Sequence, residues 1–225
     1  MKFLHEQLDL GYTDLDAVTT NSDRTYATPE GKNYPSITTV LGLLSKESIQ
    51  AWRKRVGEEE ANRISRQAST RGTAVHEIIE KYLNNDAFFA EGYTPQVQGN
   101  FLDVKPVIDE NIGKIYAQEI ALYSDYLGVA GRVDCVGEWN GKPAIIDFKT
   151  SRRLKKKENI ESYFMQEAFY AIAWEERTGM PITQLVTLIA VDHEKPQVFI
   201  EHRDNWVEKL QDVIQEYRNL KLFRG

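Results

Sequence analysis

Only one cysteine, Cys135, occurs in the 225 residues. The chain can therefore close no disulfide within itself, nor hold an iron–sulfur cluster on four of its own thiolates. Long apolar runs are missing too. None approaches the roughly 20 residues that a membrane-spanning helix needs, and the opening MKFLHEQLDLGYTD lacks the unbroken apolar core of a secretory signal. These absences predict no membrane association and a cytoplasmic address, or the host's cytoplasm should a phage encode the chain. Net positive charge is also lacking. A formal net charge of -6 argues against coating a nucleic acid by electrostatics alone. It leaves room for an acidic site whose charge a bound metal offsets. With no repeat, no low-complexity tract and no Pro/Gly/Ser-rich linker, the expected organisation is an N-terminal arm over residues 1–23 and one domain over 24–225.

What is present centres on VAGRVDCVGEWNGKPAIIDFKTS, residues 129–151. Asn140 and Gly141 separate two strand-like runs, the strongest short-range signal of a two-residue hairpin turn. Paired positions across such a turn keep a constant sum, so Trp139 faces Lys142, Cys135 faces Ile146, and Asp134 faces Asp147. Opposed side chains sit about 4.5–5.5 Å apart, where two bare carboxylates repel unless a cation bridges them. Lys149 shares their face, and Val133, Cys135, Ile146 and Phe148 form the opposite, apolar one.

Around this hairpin, short strands flank a turn at residues 29–31. Ser45 is a candidate cap for a helix carrying Ile49, Trp52 and Val56, and a further helical segment holds Arg63 and Arg66. The stripe Val75, Ile78, Ile79, Tyr82 and Leu83 predicts a helix with Arg71 in its first turn, Gly72 near its start and His76 at the stripe's edge. A helix over 97–112 is expected to begin or break near Pro106. Residues 114–124 read as a strand, and a four-residue loop over 125–128 then sets Glu119 opposite Asp134. After Lys149 comes a basic run, Arg152, Arg153, Lys155, Lys156 and Lys157. A largely apolar helix over 159–178 follows, with Gln166 and Tyr170 on one face. Two strands, 183–192 and 196–202, precede a last helix with Asp204 as its cap. This order predicts an α/β fold, a mixed sheet flanked by helices with 159–178 as the crossover.

Carboxylates so placed suit a hard cation such as Mg²⁺, which can lower the pKa of a bound water and neutralise a phosphate under attack. Lys149 could align or deprotonate that water, or hold phosphoryl oxygens. The basic run and the helical arginines, Arg71 among them, are candidates for binding a polyphosphate backbone. Phosphodiester hydrolysis is the chemistry this combination favours.

Val133 and Asp134, then Asp147, Phe148 and Lys149, resemble the signature of the PD-(D/E)xK nuclease superfamily, with Val where the family loosely keeps Pro. Arg71, Gly72, Thr73 and His76, the Gly131 to Asp134 run, Asp147 to Ser151, and Gln166 with Tyr170 are together similar to the RecB-type exonuclease branch, as is the stretch Tyr34, Pro35, Ser36, Ile37, Thr38. The resemblance implies a restriction-endonuclease-like core and a Mg²⁺-dependent DNA exonuclease, with Mn²⁺ a substitute and single-stranded DNA the favoured substrate, serving replication, recombination or repair. It implies metal ligation by His76, Glu119, Asp134, Asp147 and the Phe148 carbonyl, with Glu110 and Glu138 as alternatives to Glu119. It makes Lys149 the catalytic lysine, and has Gln166 and Tyr170 support the site or touch the strand being cut. Relatives that hold an iron–sulfur cluster on four cysteines differ from this chain. The rival readings are a site- or structure-specific endonuclease or junction resolvase on the same core, and a non-catalytic DNA-binding subunit.

Overall fold

The computed structural model describes residues 2–20 and 23–223. A small antiparallel sheet comes first, from β1 (Ala17–Thr19), β2 (Arg24–Ala27) and β3 (Asn33–Pro35). Ser36 then caps α1 (Ile37–Leu41) by accepting the Thr39 N–H at 3.0 Å. α2 (Lys46–Val56), α3 (Glu58–Leu83) and α4 (Pro95–Asn111) precede the main sheet. Its strands are β4 (Ile112–Ser124), β5 (Val129–Trp139), β6 (Lys142–Ser151), β7 (Gln184–Val191) and β8 (Gln197–His202), side by side in that order. α5 (Glu161–Thr178) links β6 to β7, and α6 (Val207–Leu222) ends the fold.

β4 to β6 are antiparallel, β6 and β7 parallel, and β7 and β8 antiparallel. The one parallel pair is the one joined by a helix, because parallel strands need a crossover. The mixed sheet flanked by helices is thus the architecture the sequence predicts. Asn140 and Gly141 take φ of 52° and 72°, as a tight hairpin with right-handed strand twist requires.

Apolar side chains cover both faces. On one, Val133, Val136, Ile145, Leu185 and Ile189 pack with α1, α5 and α6. On the other, Cys135, Ile146, Phe148, Val186 and Leu188 pack with α3 and α4. The start of the chain joins this second layer: Phe3 is buried, and Leu4 and Glu6 exchange backbone hydrogen bonds with Ile115 of β4.

Local expectations fail at four points. α3 is one helix of 26 residues, so Gly72 and Arg71 lie inside it and not at a start. A mid-helix glycine costs about 0.5–1 kcal/mol, less than the roughly 1.5–3 kcal/mol from burying any one of Val75, Ile78, Ile79 or Leu83. α4 likewise runs through Pro106, with Phe101, Val104 and Ile108 buried on either side of it. Ser45 stands at the head of α2 without bonding it through its side chain. Asp204 lies in a short 3₁₀ turn before α6, where its N–H meets His202 Nδ1 at 3.3 Å.

Candidate active site

The hairpin register aims Asp134 at Asp147, but pairing between β5 and β6 ends at Cys135 and Ile146. In place of the next ladder bond, the Asp134 carboxylate accepts the Phe148 N–H at 2.8 Å. Two carboxylates facing each other would repel, and an amide donor relieves one of them. Side-chain alternation along β5 breaks at the same residue: Cys135 packs on the α3 and α4 side, whereas Val133 packs toward α5. Val133 therefore leaves the apolar face expected for it.

The loop over 125–128 sets β4 against β5 as its four-residue length requires, with Gln118 paired to Cys135 and Ile120 to Val133. Glu119 lies between those pairs, level with Asp134, with a left-handed φ of 46°. Arg132 donates one guanidinium nitrogen to the Glu119 carbonyl and another to both Asp14 oxygens at 2.8 Å. From α3, His76 brings Nδ1 to 3.4 Å from Asp134. One ligand atom each from His76, Glu119 and Asp134 lies within 4.8 Å of the others. Burial, then the Asp134 and Glu80 carboxylates, push the Glu119 pKa up to about 8. Of the alternatives to Glu119, Glu138 meets the Tyr116 hydroxyl and the Lys114 N–H, each at 3.2 Å, and Glu110 is exposed on α4.

Asp147 is 1% exposed and belongs to a neighbouring set. It forms an ion pair with Lys149, and Gln166 of α5 donates to its Oδ1 at 3.4 Å. Oδ2, the oxygen that faces Lys149 Nζ, is itself buried. Burial, opposed by Lys149, raises the Asp147 pKa to about 6. Burial disfavours the Lys149 ammonium, but Asp147 and Asp134 outweigh it and hold its pKa above the usual lysine value. Gln166 also donates to the Tyr170 hydroxyl at 3.2 Å, and that hydroxyl donates to the Arg132 carbonyl at 2.6 Å. α5 thereby fixes Asp147 and the backbone next to Asp134 together.

Three residues that the sequence reading passed over join the site. Arg132 holds Glu119. The Tyr163 ring lies 5.3 Å from Lys149 Nζ. Glu167 is fully buried, accepts from the Thr187 hydroxyl, and has its pKa raised well above the ordinary value, by burial and then by Asp147. A lone acid on the apolar side of α5, beside Gln166, was the signal for it.

His76, Glu119, Asp134, Lys149, Gln166 and Tyr170 share one open cavity of about 660 Å³, with Arg24, Ser36 and Arg132 also in its wall. Phe148 contributes its N–H to the site and buries its ring on the opposite face. Arg71 is not among these residues. It pairs with Asp192 at 2.5 Å and lines a second cavity with Arg152. Arg153 and Lys156 are exposed, Lys155 is half-buried, and Lys157 pairs with Glu201 at 2.5 Å. No helix among the described residues is long and apolar enough to cross a membrane.

Comparison with known proteins locates this arrangement. Residues 104–223 match the family model of the PD-(D/E)XK nuclease superfamily. The chain is similar to human mitochondrial genome maintenance exonuclease 1, 23% identical over 206 residues, which cover 82% of this chain and 59% of the human protein. The mouse protein of that name is 26% identical over 129 residues, 54% of this chain and 38% of its own length. The chain thus spans less than two thirds of these curated relatives. A crystal structure of an exonuclease candidate from Eubacterium rectale overlays with a TM-score of 0.45 at 13% identity, covering 68% of this chain and 66% of that one.

Proposed function

Because this chain belongs to the PD-(D/E)XK nuclease superfamily, we propose that it is a metal-dependent exodeoxyribonuclease acting on single-stranded DNA during replication, recombination or repair. Residues 24–225 would be its nuclease domain, 1–23 the N-terminal arm, and the cytoplasm its place of action. The observation that carries this reading is the meeting of His76, Glu119 and Asp134 within 4.8 Å in one open cavity with Lys149, which pairs with the buried Asp147 behind it.

The donor set fits a divalent cation. Carboxylate oxygens from Glu119 and Asp134 and one imidazole from His76 converge. His76, Glu119, Asp134, Asp147 and the Phe148 carbonyl would hold Mg²⁺, or Mn²⁺ in its place, and the ion would supply charge neutralisation at the phosphate and an acidified water. Lys149, steered by Asp147, aligns the attacking water and the phosphoryl oxygens. Gln166 and Tyr170 keep α5 and the backbone at Arg132 in register with that lysine. Arg71, Arg152, Arg153 and Lys155 to Lys157 carry the rest of the polynucleotide. The names of the human and mouse relatives agree with exonuclease action on DNA.

A digestion time course with Mg²⁺, Mn²⁺ or EDTA, on 5′- and 3′-labelled single- and double-stranded DNA and on circular DNA, tests the reading. Loss of nucleotides from one labelled end of linear single strands, absent in EDTA, is expected. Cutting of circles would instead indicate an endonuclease. Lys149→Met should lower the rate by about 10²–10⁴-fold while the protein still melts cooperatively. Wild-type rates in that variant, or no cleavage by folded wild-type protein, would overturn the proposal.

A further inference from the structure

A second cavity, of about 560 Å³, opens between α3 and the loop leading into α4. It differs from the first in charge. Four carboxylates, Glu77, Glu80, Glu119 and Asp134, line the first cavity beside Arg24, Arg132 and Lys149, whereas Arg66, Arg71 and Arg152 line the second, with no acidic residue among the described residues of its wall. Arg66 and Arg152 have no ion pair and no side-chain hydrogen bond among the described residues. Arg71 is tied to Asp192, and its Nε is buried without a partner there. Gln67, Thr70 and Gln96 add neutral hydrogen-bonding groups.

The two cavities are neighbours on two elements at once. On α3, Gly72 and Thr73 line the first, and Thr70 and Arg71 the second. At the end of β6, Lys149 lines the first and Arg152 the second. Three residues of extended chain span about 10 Å. Between the cavities, α3 and β6 approach so closely that a Cβ on Gly72 would lie 3.7 Å from Thr150 Oγ1.

We infer that this arginine-lined cavity binds a backbone phosphate of the polynucleotide beside the one being cut. The inference rests on the nuclease reading and adds a place for the flanking strand. Division of labour follows from the charges: the carboxylate cluster of the first cavity calls for a cation beside a phosphate, whereas the second, lined by arginines with no described carboxylate in its wall, takes a phosphate without one. A free guanidinium suits phosphate because its planar fork donates paired hydrogen bonds.

Binding of a fluorescein-labelled DNA single strand, followed by anisotropy in EDTA across a salt series, is the test. Arg66→Ala should weaken binding about tenfold and reduce the salt slope by about 0.7–1, and Arg66→Lys should restore most of the slope. Arg63→Ala is the control. Arg63 sits one turn away on α3, paired with Glu60 at 2.6 Å, outside the cavity, and its loss should leave binding unchanged. Equal losses in Arg63→Ala and Arg66→Ala, no loss in Arg66→Ala, or no binding by wild type would each overturn the inference. Cleavage with Mg²⁺ is scored separately: protein that binds as described but cuts no nucleic acid sinks the nuclease reading alone.

Discussion

Arg132 donates its guanidinium to the carbonyl of Glu119, a non-glycine residue held at φ 46°. That conformation costs a β-strand residue roughly 1–3 kcal/mol, and it sets the Glu119 carboxylate beside His76 and Asp134. Arg132→Met removes the hydrogen bond that supports it. Metal affinity measured by calorimetry, and with it cleavage, should fall about 10–100-fold, as when partners that orient metal ligands are lost. Unchanged affinity would mean that Glu119 keeps its conformation unaided or takes no part in ligation.

Cation binding should show as stability. A ligand at 100 times its Kd stabilises the fold by about 2.7 kcal/mol, worth roughly 2–4 °C of Tm per kcal/mol at this chain length. Mn²⁺ or Mg²⁺ should therefore raise the wild-type Tm by several degrees, and His76→Asn should abolish most of that rise. The same rise in both proteins would place the ion elsewhere.

Glu167 gives a pH dependence whose sign can be fixed. Its folded pKa is raised well above the ordinary value, so the unfolded chain gives up this proton at lower pH than the folded one does. The stability that the neutral acid contributes is complete below about 4.3, the unfolded glutamate value, and is lost as pH rises through the folded pKa. In EDTA, Glu167→Gln, neutral at every pH, should gain Tm on wild type as pH increases. A gap that stays constant with pH, or moves the other way, would show Glu167 ionised in the fold.

Two glycines of β5 separate activity from stability. A Cβ at Gly131 would fall 3.0 Å from the Tyr170 ring and 2.9 Å from the Ile37 Cγ2, so Gly131→Ala should push Tyr170 off the Arg132 carbonyl and lower cleavage more than Tm. At Gly137 the obstacle is the Lys114 carbonyl, 2.8 Å away, and backbone cannot step aside as a side chain can. Gly137→Ala should cost about 1–3 kcal/mol in denaturant unfolding and leave the rate per folded molecule close to wild type.

The parts of this molecule governed by short-range rules were open to reading from the sequence. Asn140 and Gly141 specify their turn, the turn specifies five pairs of β5 and β6, and the loop length does the same for Glu119 against Asp134. What escaped was set by tertiary context. Asp134 leaves the ladder for the Phe148 N–H, a choice made by charge repulsion and not by strand periodicity. α3 passes through Gly72 because apolar burial further along the helix outweighs a propensity penalty. Arg71 reads as a free arginine in sequence, and only the fold shows Asp192 beside it, 121 residues later. Glu167 stands out in sequence only as a lone acid on the apolar side of its helix, and its partner, the Thr187 hydroxyl, is set by the fold.

Asp14 meets Arg132 through two hydrogen bonds of 2.8 Å, and Arg132 in turn holds Glu119. The beginning of the chain is thereby a brace for the proposed metal ligands, though no described residue before Arg24 lines their cavity. A shortened chain starting at Arg24 would keep every proposed ligand and still act as an active-site variant. Its defect should resemble that of Asp14→Asn, which cuts the brace at one atom pair.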